Sequence, residues 1–185
     1  MQDNVQLTHK EHESSDNKFP LSIIANDITD PLNVGSLFRL SDALGIEKLY
    51  LCGGTPIPPN TKIKKTSRST EKYVIFEQYN NAVELVATLK KSDAFIISLE
   101  ITSSSIPIDS AEFTNKIKKE ITNKKPIYLI LGSENSGVSE NLLALSDLTT
   151  HITMHGNNSS MNVISAVSIA CFEITRNMAT IKYFI

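Results

Sequence analysis

Residues 19–52 read FPLSIIANDITDPLNVGSLFRLSDALGIEKLYLC. Leu21 to Ala25 is a short apolar run bounded by turn-forming residues, the pattern of a strand covered on both faces. Val34, Leu37, Phe38 and Leu44 then recur at helical spacing, and Lys48 to Cys52 is extended and apolar again. Strand, helix, strand in so short a span is a βαβ unit, whose two strands run parallel.

Outward from this unit the alternation continues. Tyr73 to Glu77, Ala94 to Leu99, Ile127 to Leu131 and His151 to Met154 read as strands, and Ala82 to Lys90, Ser110 to Thr122, Ser139 to Leu145 and Asn162 to Arg176 as helices. The pattern predicts an α/β fold, a mostly parallel sheet with helices on both faces. Residues 1–18, MQDNVQLTHKEHESSDNK, lack periodicity and carry few apolar side chains, so they are expected to form a flexible arm before a single domain spanning 19–185.

Composition sets the limits on function. With 185 residues, 41% hydrophobic and 21% charged, the chain can bury a core without disulfides or metal, and disordered, collagen-like and repeat architectures are excluded. No apolar run approaches the roughly twenty residues of a membrane span, and the N-terminus lacks the apolar core of a signal peptide, so the cytoplasm is the expected compartment. Eighteen Lys and Arg against twenty Asp and Glu leave a net charge of -2, so any nucleic acid must be engaged through a local patch, and no DNA partner is expected. Cys52 and Cys171 lie far apart among apolar neighbours and read as reduced, buried thiols. His151 and His155 are four residues apart, but their segment reads as extended, and no metal site is expected.

Five basic residues, Lys62, Lys64, Lys65, Arg68 and Lys72, fall in one stretch that reads as a loop. Such a run is either a solvated surface or a phosphate-contacting patch. After the first strand the chain carries Asn26 to Asn33 rather than a glycine-rich turn, and no GxxxxGK[ST] occurs, which disfavours nucleotide binding by a glycine loop.

Three clusters of small polar residues stand instead at strand-to-helix junctions. In the first, residues 30–39, Asn33 is suited to cap a helix and Arg39 projects beside the apolar stripe, where a surface salt bridge would equally account for it. In the second, residues 131–139, Gly132 and Gly137 flank Glu134, which reads either as a structural turn or as an acid aimed into a crevice at a strand's carboxyl end. The third, residues 152–163, runs into an apolar helix that Ser160 or Asn162 could cap.

Taken in order, the clusters resemble the three signature motifs of the SpoU, or TrmH-like, RNA 2'-O-methyltransferases of the SPOUT superfamily. Asn33, Gly35 and Arg39 match the first motif, Gly132, Glu134 and Gly137 the second, and Gly156, Ser160, Asn162 and Val163 the third. Two positions depart from the pattern, Thr153 where the third motif usually has proline and Met161 where it has leucine. The resemblance implies a C-terminal deep trefoil knot, a homodimer, and S-adenosylmethionine bound bent in the knotted loops. Carried over, the cofactor-binding residues are Leu131, Gly132, Gly137, Ile152, Gly156, Ser160 and Met161, and the catalytic set is Asn33, Arg39, Glu134, Ser160 and Asn162. The implied reaction is attack of a ribose 2'-hydroxyl on the sulfonium methyl.

Residues 65–74 look most like the TrmH branch, which methylates a guanosine ribose in the tRNA D-loop. The extensions of that branch are largely missing, as is the N-terminal RNA-binding domain of rRNA-modifying relatives, so the expectation is tRNA first and rRNA second. Lys62, Lys64, Lys65, Arg68 and Lys72 are the expected phosphate contacts. Two further readings stay open, a non-catalytic RNA-binding member of the same fold and a flavodoxin-like small-ligand module.

Overall fold

A computed structural model describes residues 4–6, 8, 11 and 17–181. Most of the expected N-terminal arm therefore lies outside the described residues. Strand β1 (Phe19–Asn26) leads to helix α1 (Pro31–Ala43), and β2 (Ile46–Cys52) to α2 (Thr61–Ser67) and a 3₁₀ turn at Thr70–Lys72. Then follow β3 (Phe76–Tyr79), α3 (Ala82–Lys91), β4 (Phe95–Leu99), β5 (Ile106–Pro107), α4 (Ala111–Thr122), β6 (Ile127–Leu131), α5 (Glu140–Leu145), β7 (Leu148–His151) and α6 (Val163–Ala179). The sheet order is β3-β2-β1-β6-β4-β7-β5, and every pairing among these strands is parallel.

Side chains alternate across the strands, so each face acquires its own core. Ile23 of β1 and Leu129 of β6 pack with Phe38 of α1, Phe113 of α4 and Ile174 of α6. Their neighbours Ile24 and Ile130 point the other way, against Leu85 of α3 and Leu142 of α5. Both cysteines are free and buried, and burial pushes their thiols up to about 12. Among the described residues no helix is long and apolar enough to cross a membrane.

Three local expectations are corrected. The basic stretch is not a loop. Asn60 Oδ1 accepts from Lys62 N–H at 2.9 Å and Ile63 N–H at 3.3 Å, and Ile63 is fully buried, so a cap and one apolar anchor fold residues 61–67 into α2. The last strand runs over Leu148–His151 rather than His151 to Met154, because Leu148 and Thr150 are the buried pair and the Thr150 hydroxyl donates to Ile106 O at 2.9 Å. The third strand starts at Phe76 rather than Tyr73, since the 3₁₀ turn first carries Val74 into the core.

Helix α2 lies against α1 because Gly35 permits it. A Cβ there would come 2.1 Å from Thr66 Oγ1 and 2.3 Å from Ile63 O. Beyond α2 the backbone turns through two successive left-handed residues, Arg68 at φ 57° and Ser69 at φ 76°. Neither is glycine, so the turn carries strain that Ser69→Gly would relieve. Set against the extra freedom glycine gives the unfolded chain, the net gain is about 0.5–1 kcal/mol, or about 1–4 °C in thermal midpoint. A lowered midpoint would show that Ser69 contributes a contact worth more than the strain.

Candidate active site

Chain direction across the sheet reverses between β1 and β6. The loop after β1 leads to α1 on one face, whereas the loop after its neighbour β6 leads to α5 on the other. Two adjacent loops that part in this way leave a crevice at the carboxyl ends, where α/β folds bind ligands.

Glu134, in the loop after β6, closes that crevice. Its Oε2 accepts from Thr29 N–H at 2.9 Å and the Thr29 hydroxyl at 3.0 Å, and its Oε1 from Asn33 Nδ2 at 2.8 Å and Asp30 N–H at 3.3 Å. Asn162 Nδ2 in turn donates to Asn33 Oδ1 at 3.4 Å. One residue from each of the three polar clusters is thus joined in a single chain of hydrogen bonds. Asn33 does not cap α1. Asp30 does, accepting from Leu32 N–H at 2.9 Å, and this leaves the Asn33 amide in the first turn free to bridge Glu134 and Asn162. Asn162 caps α6, with Oδ1 accepting from Ile164 N–H at 2.8 Å.

Partial burial pushes the Glu134 carboxyl upward, but donors from Thr29, Asn33 and Asp30 outweigh this and hold it down at about 2. The sign follows from the depressed value. An ionised Glu134 contributes its stability fully above the ordinary value of 4.5, and that contribution is lost as pH falls towards 2. Because the side chain is exposed, screening limits the effect to about 1 kcal/mol. The stability gap between the wild type and Glu134→Gln is therefore expected to be constant above pH 5 and to close between about 4.5 and 2. A gap that stays constant to low pH would place the carboxylate outside this network.

Next to this network lies an open cleft of about 810 Å³. Its walls come from the ends of β4 and β6, the loop 132–138 and the irregular segment 152–162. Leu99, Leu131, Ile152 and Met161 give it apolar walls, and Glu134, Ser160 and Asn162 a polar rim. The loop 132–138 is folded tightly on itself. Gly137 N–H donates to Ser133 O at 2.9 Å, and a Cβ on Gly132 would lie 2.0 Å from the carbonyl carbon and oxygen of Gly137. With no side chain at either glycine, the loop can present bare backbone to the cleft.

A second hollow, of about 630 Å³, opens between α1, α2 and α6. Arg39, Lys65 and Arg68 line it with the hydroxyl residues Ser36, Thr66 and Ser168. Among the described residues no acidic side chain lines it, so three cations share one hollow.

Six of the sequence-derived cofactor residues, Leu131, Gly132, Gly137, Ile152, Ser160 and Met161, line the cleft, as do Glu134 and Asn162. Gly156 does not, and a Cβ there would meet nothing within 4 Å. Asn33 reaches the rim through its two hydrogen bonds, while Arg39 stands apart in the second hollow. Of the basic residues of 62–72, all five are exposed but only Lys65 and Arg68 join Arg39. His151 also lines the cleft, its Nδ1 2.9 Å from the Ser105 hydroxyl. Among the described residues no three His, Cys, Asp or Glu side chains are grouped to hold a metal ion. Several residues of the cleft escaped sequence reasoning, Glu100 the most consequential of them. Glu100, just past β4, directs its carboxylate at the loop 132–138, and nothing in its local sequence marks it as more than a polar strand end.

A parallel sheet with a crevice at its switch point, and a cleft built by the loops after β6 and β7, define a ligand-binding α/β domain. The chain belongs to the SpoU rRNA Methylase family, whose model matches residues 20–172. It is 26% identical over 163 residues to a 23S rRNA (guanosine-2'-O-)-methyltransferase of Blochmanniella floridana, covering 88% of this chain and 60% of that protein. It is also 26% identical over 156 residues to a tRNA (guanosine(18)-2'-O)-methyltransferase of Thermus thermophilus, covering 84% of this chain and 74% of that one. The chain spans about three-fifths of the length of several curated relatives. The fold matches the TrmH/SpoU tRNA modifying enzyme of Aquifex aeolicus with a TM-score of 0.73 at 22% identity, covering 89% of this chain and 78% of the other. It matches the SpoU methyltransferase AviRb of Streptomyces viridochromogenes, solved with AdoMet, with a TM-score of 0.71 at 19% identity, covering 94% and 65%.

Proposed function

We propose that this protein is an S-adenosylmethionine-dependent RNA 2'-O-ribose methyltransferase acting on tRNA. The observation that carries the reading is the hydrogen-bond chain Glu134–Asn33–Asn162, which ties the three family motifs together at the rim of the cleft. The cleft fits the cofactor chemically, with apolar walls for a purine and bare backbone at Gly132 and Gly137 to hydrogen-bond it. Leu131, Gly132, Ile152, Ser160 and Met161 would hold it, within a trefoil knot threaded by the C-terminal segment. S-adenosylmethionine supplies an electrophilic methyl group.

The chain must supply position and a destination for a proton. A ribose hydroxyl is a poor nucleophile until its proton is shared. Arg39 cannot take that proton, since guanidinium stays protonated in proteins. Its fork instead holds the adjacent RNA phosphate, with Lys65 and Arg68 beside it, so that a phosphate oxygen lies next to the hydroxyl and accepts the proton. Glu134, Asn33 and Asn162 keep the rim rigid while this happens.

Within one protomer Arg39 and the cleft open as separate hollows. A homodimer joins them, with Arg39 of one copy serving the cleft of the other. In support, α6 leaves Ile169 43% and Phe172 59% exposed on the same helix as Ser168 of the second hollow.

The test is incubation of purified protein with radiolabelled S-adenosylmethionine and unmodified tRNA or rRNA transcripts, with Asn33→Ala as control and the labelled ribose mapped. Label in tRNA that is lost in the variant supports the proposal. Label confined to rRNA would replace the substrate, and S-adenosylmethionine binding without label in either RNA would favour a binding-only member of the fold.

A further inference from the structure

Glu100 follows β4 directly, and its backbone still belongs to the sheet, its N–H donating to Thr150 O at 2.9 Å. Its side chain turns towards the loop of neighbouring β6. There Oε2 accepts from Val138 N–H at 2.9 Å, while Oε1 accepts from Ile101 N–H at 2.9 Å. The contact is close-packed. A Cβ on Gly137 would lie 2.2 Å from Glu100 Oε2, and one on Gly132 would lie 2.0 Å from the Gly137 carbonyl. Carboxylate, Gly137 and Gly132 thus form a stack with no room for a methyl group at either step. Val138 is 5% exposed, so without Glu100 its N–H would lose a charged partner that water replaces poorly.

We propose that Glu100 is a positioning residue of the cofactor loop: it holds residues 132–138 at the edge of the cleft, so that β4 sets the placement of ligand-facing backbone it does not itself contain. The loop is held at two points. Glu134 leaves it outward to Thr29, Asp30 and Asn33, and Glu100 reaches in to its end at Val138. The inference rests on reading the cleft as the cofactor site.

Reach matters more than charge at this position. Glu100→Gln keeps the length of the side chain and one acceptor oxygen, whereas Glu100→Asp keeps the charge but is one methylene too short for Val138. S-adenosylhomocysteine binding by calorimetry is expected to weaken about 10–100-fold in Glu100→Ala and Glu100→Asp, the loss that a hydrogen bond to a charged group represents. Glu100→Gln should fall between these and the wild type. In ligand-free protein, amide exchange at Val138 should accelerate in the same order.

A role in general stability would lower the thermal midpoint without separating Gln from Asp in affinity. Wild-type affinity and unchanged Val138 exchange in Glu100→Ala would overturn the proposal. So would Asp binding better than Gln, because charge would then be acting. If the wild type does not bind S-adenosylhomocysteine at all while Val138 exchange still accelerates in Glu100→Ala, the reading of the cleft fails and Glu100 is only a brace of the loop.

Discussion

Arg39→Ala is expected to lower ribose methylation on the order of 10²–10³-fold while leaving S-adenosylhomocysteine affinity within about twofold, the pattern of a lost transition-state contact. The side chain is exposed and lines the hollow between α1, α2 and α6, apart from the cleft, so folding and cofactor binding are expected to tolerate its loss. On the proposed mechanism it provides a planar pair of donors for a phosphate beside the reacting hydroxyl. Arg39→Lys keeps the charge but removes the fork, and should recover only a small part of the rate. Near-normal methylation in the lysine variant would overturn the bidentate role. Mixing Arg39→Ala with an Asn33→Ala variant tests the dimer, since a heterodimer would carry one intact composite site and regain activity.

Gly132→Ala should be strongly damaging for a single added methyl. The added Cβ would lie 2.0 Å from the carbonyl carbon and oxygen of Gly137 and 2.3 Å from Val138 N. These are backbone atoms that cannot rotate aside, so the loop must open, and the bond from Val138 N–H to Glu100 is strained with it. Overpacking of this kind costs about 1–3 kcal/mol, or several degrees in thermal midpoint. Cofactor binding should suffer more than stability, since the displaced atoms line the cleft, and affinity for S-adenosylhomocysteine is expected to fall about 100-fold or more. A variant with wild-type affinity would show that this turn does not shape the ligand site.

Glycine-to-alanine substitution at Gly156 provides the contrast. Its Cβ would meet nothing within 4 Å, so the same change there should leave folding intact.

The parallel α/β architecture was legible from periodicity because it is written locally. An apolar run such as Leu21 to Ala25 has only one way to hide both faces, and Val34, Leu37 and Phe38 must share a helix side wherever that helix lies. Elements defined by a cap and a single apolar anchor were harder to see. Helix α2 hangs on Asn60 and Ile63, and so short a signal among five cations reads as loop. The shift of the last strand to Leu148–His151 has a similar origin, since either register supplies alternating side chains and only contact with β4 and β5 selects one.

For the site, residue type and spacing marked three polar clusters at strand ends, and the resemblance to the family's motifs, rather than spacing alone, singled out Asn33, Glu134, Ser160, Asn162 and the paired glycines. Partners could not be identified in this way. Glu134 is bonded to residues more than a hundred positions away, and Asn33 exchanged an expected capping role for a bridging one because Asp30 had taken the cap. Arg39 was assigned to the same set as Glu134, yet within one chain it opens on a different hollow. Glu100 was invisible because its meaning lies wholly in the distance between two neighbouring strand ends. Sequence by itself determined most of the strands and helices, α2 apart, and which residue types gather at their ends, because burial and capping act over a few residues. Tertiary structure decided which of those residues meet, because hydrogen bonds and close packing require an approach of about 3 Å that only the finished sheet brings about.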